Sequence, residues 1–96
     1  MKAWVYILLC ADGSYYTGHT TNLEHRVAKH KSGEGSVWTR SRLPVVLVFS
    51  QEMGSRYEAA LAERRIKQWT VQDKKALIAG DKGRLRLLSK EANSRG

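Results

Sequence analysis

The alternation of apolar runs and turn residues in the chain predicts three strands. Residues 4–10 are rich in β-branched and aromatic side chains and stop just before Asp12-Gly13, a dipeptide typical of hairpin turns. Residues 15–17 are predicted to return as the second strand. Residues 45–49 are all apolar, which predicts a third, buried strand.

Two sequence motifs predict where the longer helices begin. Thr21 is followed by Glu24, and Ser55 by Glu58, the spacing at which a hydroxyl and a carboxyl satisfy the first free amides of a helix. The first helix is expected to end at Gly33, because glycine tolerates the left-handed conformation that often follows a helix. The second is expected to reach about residue 69. The remaining segments predict a loop and two short basic helices, over residues 33–44, 71–78 and 84–90 respectively.

These elements predict an α+β fold. Its centre is a small three-stranded, mainly antiparallel sheet, built in the order hairpin, helix, strand and flanked by helices. At 96 residues the chain is expected to form a single domain. Residues 1–80 are assigned to the body of that domain, and residues 81–96 to a short basic C-terminal helix and a frayed tail.

The charge of the chain favours a phosphate-rich partner. Seventeen Lys and Arg against nine Asp and Glu leave a formal net charge of +8, which is typical of proteins that bind nucleic acid. Cys10 is the single cysteine, so neither an internal disulfide nor a structural zinc site is expected. The apolar run at residues 4–10 is too short to span a membrane, so we expect a cytoplasmic protein with no membrane partner.

The first predicted helix carries polar residues on its apolar face. Leu23, Arg26 and His30 recur at helical spacing, so a guanidinium and an imidazole fall on the face that should pack on the sheet. Either Arg26 extends its charged end into water and His30 is an ordinary boundary residue, or both belong to a functional site.

Glu63 also allows two interpretations. It lies beside the apolar stripe of the second long helix, among Arg64, Arg65 and Lys67. The simpler interpretation is an i,i+4 ion pair with Lys67, worth about 0.3 to 0.5 kcal/mol. The functional interpretation is a hard oxygen ligand for Mg²⁺, an ion that proteins commonly hold through one or two carboxylates together with water and phosphate.

Aromatic residues occur both in the predicted strands and in the loop. Tyr6 and Tyr16 suit a pleated sheet, and on β-propensity alone they are packing residues. In the loop, Trp38 is interleaved with Arg40 and Arg42, a combination that can stack on bases and pair with phosphates.

Taken in order, these residues resemble the GIY-YIG nuclease superfamily. The family has a Tyr in the first strand, Tyr-x-Gly in the second, Arg and His on a helix, and a later helical Glu. The matching residues of this chain are Tyr6, Tyr16, Gly18, Arg26, His30 and Glu63. The length of the chain and its residues 33–44 are similar to those of a small stand-alone, single-domain bacterial subfamily.

This resemblance implies hydrolysis of DNA phosphodiester bonds with a single divalent metal, Mg²⁺ or Mn²⁺, leaving a 5′-phosphate and a 3′-hydroxyl. Glu63 would hold the metal, and Arg26 would compensate charge on the phosphoryl oxygens. Tyr16 would orient or deprotonate the attacking water, helped by Tyr6 and His30. The residues expected to contact nucleic acid are His19, Trp38, Arg40, Arg42 and Lys67.

Tyr16 and His30 are rival candidates for the general base. A phenol with a pKa of about 10 is only about 0.1% ionised at pH 7, so Tyr16 needs a lowered pKa to act. An imidazole with a pKa near 6.5 is the better base before any tuning. The resemblance favours Tyr16.

The register of the hairpin decides whether Tyr6 and Tyr16 can share a site. A two-residue loop at Asp12-Gly13 would put the two phenols on opposite faces of the sheet, because side chains alternate along a strand. A shared site predicts a bulge, or an odd loop such as residues 12–14 with Gly13 or its neighbour in a left-handed conformation. Cys10 would then lie opposite Tyr16.

The sequence leaves three functions open. The first is a metal-dependent endonuclease of low sequence specificity, selective for DNA structures in repair or recombination and targeted by substrate shape or by a protein partner. The second is a non-catalytic basic module that binds DNA or RNA. The third is a basic structural component of a ribonucleoprotein.

Overall fold

The fold is α+β, as predicted, and the computed structural model describes residues 2–90. The strands are β1 (Ala3–Cys10), β2 (Tyr15–Thr20) and β3 (Val45–Met53). The helices in this part of the chain are α1 (Leu23–Lys31), α2 (Val37–Arg40), α3 (Arg56–Lys67), α4 (Val71–Ile78) and α5 (Lys82–Lys90). The strands form one antiparallel sheet in the order β2-β1-β3.

The two faces of the sheet are covered by different helices. Val5 and Ile7 of β1 point to a core that also contains buried side chains of α3, α4 and α5, namely Ala59, Ala62, Ile66, Leu77 and Leu88. Tyr6 and Leu8 point the other way, into a smaller cluster that includes Leu23 of α1. The C-terminal helix α5 therefore packs on the same core as α3. The predicted frayed tail, residues 91–96, lies outside the described residues.

The hairpin has the odd loop that a shared site requires. Leu8 pairs with Tyr16, and pairing along the strands leaves a three-residue loop that ends at Gly13. Gly13 has φ +88°, the left-handed conformation that glycine adopts without a steric cost. The phenols of Tyr6 and Tyr16 consequently lie on one face, as predicted. The predicted register, with Cys10 opposite Tyr16, is wrong: the Cys10 amide donates to the Ser14 carbonyl, so the loop comprises residues 11–13 and Tyr16 lies opposite Leu8.

Helix boundaries follow the capping chemistry. The amide of His25 donates to the side chain of Asn22, so α1 is capped one residue later than the predicted Thr21. Ser55 caps α3 as predicted, and this helix ends at Lys67, two residues before the expected end. None of the helices within residues 2–90 is long and apolar enough to cross a membrane.

The sequence predicted a loop over residues 33–44, but the segment is not entirely a loop. It contains α2, because the amide of Thr39 donates to the hydroxyl of Ser36 and starts a single turn of helix. This short helix has no room for a hydrophobic period, so periodicity could not reveal it.

The third strand is an edge strand and is less buried than predicted. β3 pairs only with β1, and Val46 is 54% exposed although Val45 is buried. A bulge shifts the register, since Ile7 lies opposite Phe49 whereas Leu8 lies opposite Leu47. An apolar run alone does not distinguish an edge strand from a central one.

Candidate active site

The site is centred on the point where β2 passes Tyr6. Gly18 lies opposite Tyr6 in the register of the hairpin. A Cβ atom at Gly18 would lie 2.5 Å from the Tyr6 hydroxyl oxygen, closer than carbon and oxygen can pack. The Tyr6 phenol therefore lies directly over the Gly18 backbone. This contact explains physically why a glycine follows Tyr16 by two residues.

Tyr6 is a buried, neutral phenol. Its hydroxyl lies 2.9 Å from Nε2 of His30, and it is only 1% exposed. Burial is the main cause that raises the pKa of Tyr6 to about 12, against the opposing effect of a hydrogen bond from Arg26. The negative charges of Tyr16, when ionised, and of Glu63 act in the same direction as burial. Tyr6, Arg26, Tyr16 and Glu63 therefore lie close enough to interact electrostatically.

His30 is a buried imidazole with both ring nitrogens engaged. It is 0% exposed, and while Nε2 contacts Tyr6, Nδ1 lies 3.0 Å from the hydroxyl oxygen of Thr39. Burial, followed by the charge of Arg26, lowers the pKa of His30 to about 4. The imidazole is neutral at physiological pH. The interpretation of His30 as an ordinary boundary residue is wrong.

Tyr16 is the phenol of the site that solvent reaches, since it is half-buried. Its ring centroid lies 5.0 Å from that of His30 and 5.9 Å from that of Trp38, to which it is nearly parallel. The guanidinium of Arg42 lies 3.9 Å from the Trp38 ring centroid. Aromatic contacts on both sides thus fix the orientation of the Tyr16 ring.

The two arginines of residues 33–44 differ in their contacts. Nε of Arg42 lies 3.0 Å from Oδ2 of Asp12, and its Nη1 donates to the Trp38 carbonyl over 2.8 Å. Arg42 therefore joins the hairpin loop to α2. Arg40 is exposed on α2 and remains accessible to a ligand.

Glu63 reaches the site from α3, on the opposite face of the sheet. Its Oε1 lies 2.6 Å from Nδ1 of His19 on β2, and its Oε2 lies 2.6 Å from Nζ of Lys67. Burial alone would raise the pKa of Glu63, but the hydrogen bonds from His19 and Lys67 outweigh burial and lower it. The predicted i,i+4 ion pair is present, and β2 adds a second partner. Glu63 is therefore ionised at neutral pH.

Glu63 offers a single carboxylate, which suits a hard cation whose other ligands are water and substrate phosphate. No group of three or more His, Cys, Asp or Glu that could hold a metal ion occurs within residues 2–90. Glu63 is an ionised carboxylate whose side chain is 17% exposed, and an ion bound to it would take the place of the contact with His19 or with Lys67. Mg²⁺ is commonly held by one carboxylate together with water and substrate phosphate. The site can hold such an ion only in this way.

The structure brings most of the predicted site residues into one connected cluster. Direct contacts join Tyr6 to His30, Tyr16 to His30 and to Trp38, and Trp38 to Arg42. Arg26 acts to lower the pKa of Tyr6, and His19 and Lys67 lower that of Glu63, so these residues also lie close to the cluster. Arg40 lies exposed nearby.

Thr39 is a site residue that sequence reasoning missed. It is fully buried and contacts His30, although residues 33–44 were interpreted as a loop that binds nucleic acid. Serine is a preferred N-cap residue, so Ser36 could have indicated the start of a helix with Thr39 in its first turn. Its contact with His30 depends on tertiary packing, which no local pattern encodes.

The hairpin carries Tyr6 and Tyr16 on one face, α1 carries Arg26 and His30, and α3 carries Glu63, an arrangement that belongs to a nuclease-type fold. The family described as the GIY-YIG catalytic domain matches residues 2–76. The chain belongs to this GIY-YIG family.

Its relatives are small proteins from bacteria and archaea. A UPF0213 protein of Streptococcus pneumoniae serotype 4 is 42% identical over 83 residues, covering 86% of this chain and 84% of the relative. A UPF0213 protein of Halobacterium salinarum is 47% identical over 74 residues, covering 77% of this chain and 96% of the relative. The family therefore extends beyond the bacterial subfamily that the sequence suggested.

Two solution NMR structures share the fold. That of a UPF0213 protein from Bacillus halodurans has a TM-score of 0.55 and 39% identity, covering 93% of this chain and 98% of that one. That of a protein from E. faecalis has a TM-score of 0.57 and 36% identity, covering 82% and 84% of the two chains.

Proposed function

We propose that this protein is a divalent-metal-dependent endonuclease that hydrolyses DNA phosphodiester bonds with low sequence specificity. The observation that carries this proposal is the convergence of two phenols, a guanidinium, a neutral imidazole and an ionised carboxylate around Gly18. These are the residues Tyr6, Tyr16, Arg26, His30 and Glu63. Activity in the cytoplasm, in DNA repair or recombination, belongs to the same proposal.

The residues divide the chemistry of hydrolysis among them. Water forms a bond to phosphorus while the bond from phosphorus to the 3′ oxygen breaks, so a proton must leave the water and charge must be compensated. Arg26 compensates the charge on the phosphoryl oxygens. Tyr16 orients the water and, as the phenolate, accepts its proton, because it is the phenol within reach of solvent.

His30 acts through its neighbours and not as the direct base. It is fully buried, and both its nitrogens are engaged by Tyr6 and Thr39, so water does not reach it. A neutral imidazole in this position supports the Tyr6 hydroxyl and packs against the ring of Tyr16. We therefore assign the role of general base to Tyr16 and not to His30.

Glu63 is the residue that would hold Mg²⁺ or Mn²⁺, an ion that polarises the scissile phosphate when bound. His19 and Lys67 occupy both carboxylate oxygens in this structure. They keep the carboxylate ionised and held in place. Both side chains also carry nitrogen donors of the kind that contact the phosphates of nucleic acid.

Specificity is expected to come from the shape of the substrate or from a protein partner. Arg40 is exposed on α2, near the aromatic contact between Trp38 and Tyr16. Such a surface binds phosphates and does not read base edges, so selectivity for nicks, flaps or junctions is the expected form of discrimination.

A cleavage panel tests the proposal. The protein is incubated with labelled linear, nicked, flap and junction DNA and with RNA, in the presence of Mg²⁺, Mn²⁺ or EDTA. We expect cleavage of DNA with at least one of the two metals, none with EDTA, and 5′-phosphate and 3′-hydroxyl ends. Binding without cleavage across the whole panel would overturn the proposal.

The alternative function is a non-catalytic module that binds DNA or RNA. The observation in its favour is that both oxygens of Glu63 are satisfied by His19 and Lys67, as in a structural ion pair. This alternative predicts that the affinity for nucleic acid is no higher in Mg²⁺ than in a monovalent salt at the same ionic strength.

A further inference from the structure

The contact between Thr39 and His30 lies outside the chemistry proposed for Tyr16, Arg26 and Glu63. Both residues are 0% exposed, and the Thr39 hydroxyl oxygen lies 3.0 Å from Nδ1 of the imidazole. Ser36 holds Thr39 in place, since the Thr39 amide donates to the Ser36 hydroxyl over 3.1 Å. The two hydroxyl oxygens lie 2.9 Å apart.

The direction of the hydrogen bonds around His30 can be deduced from Thr39. The Thr39 hydroxyl donates to the carbonyl oxygen of Ser36, which lies 3.4 Å away, so its oxygen can only accept from Nδ1 of His30. His30 is neutral and carries one ring proton, because its pKa is lowered to about 4. That proton therefore lies on Nδ1, and Nε2 accepts from the Tyr6 hydroxyl over 2.9 Å.

We propose that Thr39 is a positioning residue that fixes His30 in the Nδ1-protonated tautomer. In this tautomer Nε2 accepts from Tyr6, so both lone pairs of the Tyr6 oxygen stay free to accept from Arg26. Thr39 thereby orients the phosphate-binding arginine through two intervening side chains. Its effect on cleavage rests on the proposed function, whereas its effect on the tautomer does not.

The packing around His30 leaves little room for a substitute for the Thr39 hydroxyl. A Cβ atom at Gly35 would lie 2.3 Å from Nδ1, so the backbone of the segment before α2 passes directly against this side of the ring. A water molecule placed there would need space that the backbone occupies. The Thr39 hydroxyl is therefore the hydrogen-bond partner that determines whether Nδ1 carries the ring proton.

The first test measures the tautomer and requires no activity. Nitrogen-15 NMR of the imidazole at pH 7 shows which ring nitrogen of His30 carries the proton, in wild type, Thr39→Val and Thr39→Ser. We expect Nδ1–H in wild type and in Thr39→Ser, and a mixed or Nε2–H tautomer in Thr39→Val. Thr17→Val is the matched control, since Thr17 is also buried but lies on β2. An Nε2–H tautomer in wild type would overturn the inference even if Thr39→Val failed to fold, and so would an unchanged tautomer in a folded Thr39→Val.

The second test measures single-turnover cleavage with saturating enzyme. Misplacing the charged group that contacts the reacting phosphate should reduce the rate of Thr39→Val about 10-fold or more, while its Kd for DNA stays within about 2-fold. Thr39→Ser should restore the rate. If Thr39→Val shifts the tautomer and cleaves at the wild-type rate, the positioning role is wrong while the nuclease stands. If wild type cleaves nothing, the proposed function fails and the tautomer measurement alone decides the role of Thr39.

Discussion

At the scale of single residues, burial determines what each polar group can do. Tyr6 and Tyr16 carry the same phenol. Tyr6 is buried against the backbone of Gly18 and its pKa is raised to about 12, whereas Tyr16 is only half-buried. His30 is likewise removed from water and kept neutral. Identical side chains therefore have different roles because of their surroundings.

The first prediction concerns these two phenols. Tyr16→Phe keeps the ring that packs on His30 and Trp38, so the fold should persist, but loss of the hydroxyl should reduce single-turnover cleavage at least about 100-fold. Tyr6→Phe leaves a buried nitrogen of His30 without its partner and should cost about 1–3 kcal/mol of unfolding free energy. Urea unfolding and cleavage assays measure the two effects. A fully active Tyr16→Phe would exclude this hydroxyl as the base.

The second prediction concerns the pH dependence of stability. His30 has a folded pKa of about 4 against an ordinary value of 6.5, so folding disfavours its charged form. Its contribution is fully present above about pH 6.5 and is lost as the pH falls towards 4. The loss should amount to about 3 kcal/mol in all, at about 1.4 kcal/mol per pH unit within this window.

Urea unfolding at pH 7, 5.5 and 4.5 measures this loss. His30→Gln should lose stability less steeply with falling pH than wild type, even if it is less stable at pH 7. The matched control is His25→Gln, because His25 is an exposed histidine of the same helix. Equal pH dependence in wild type and His30→Gln would contradict the account.

At the scale of secondary-structure elements, the hairpin register builds the site. The three-residue loop places Gly18 opposite Tyr6 and puts both phenols on the face covered by α1. α3 packs on the other face and contributes Glu63. The site therefore spans both faces of the sheet around β2, an edge strand.

The third prediction tests this register. Gly18→Ala places a Cβ atom 2.5 Å from the Tyr6 hydroxyl oxygen, so the phenol must move away from His30. We expect a loss of about 1–3 kcal/mol in stability together with a strong loss of cleavage. Gly83→Ala is the control, because Gly83 lies at the start of α5, where an added Cβ atom would meet the Asp81 carboxylate at 3.2 Å and no residue of the site. Wild-type cleavage by Gly18→Ala would show that the close contact is not needed.

The elements show what the sequence can and cannot predict. Local chemistry predicted the hairpin and the start of α3 at Ser55, whereas the odd loop with Gly13 or its neighbour left-handed followed from the shared site that the family resemblance implies. Local chemistry did not reveal α2, which is one turn long, or the exposed edge position of β3. The family motif indicated Tyr6 and His30, but their burial and the contact with Thr39 depend on packing between distant segments.

At the scale of the whole molecule, the charge should govern affinity for nucleic acid. The net charge of +8 attracts a polyanion from any direction, but under the proposed function the strand to be cleaved would lie across the face that carries Tyr16 and α2. Charged residues near this face should therefore contribute more than those on α5.

The fourth prediction compares two exposed arginines. Arg40→Ala, on α2, should weaken DNA binding and lower the slope of log K against log salt by about 1, the loss of one phosphate contact. Arg86→Ala, on α5 at the other face of the sheet, should change the slope less. Fluorescence anisotropy over a salt series measures both. Equal slopes for the two variants would indicate that binding is not localised at the site.

The central claim, that Glu63 serves cleavage and not only folding, is tested most directly by single-turnover cleavage with Glu63→Gln. The control is Glu34→Gln, which removes an exposed carboxylate that pairs with Lys29 over 3.8 Å. DNA binding and urea unfolding are measured on the same samples with Mg²⁺ or Mn²⁺. The account predicts that Glu63→Gln folds and binds DNA but does not cleave it, while Glu34→Gln cleaves like wild type. Cleavage by Glu63→Gln at the wild-type rate would contradict it.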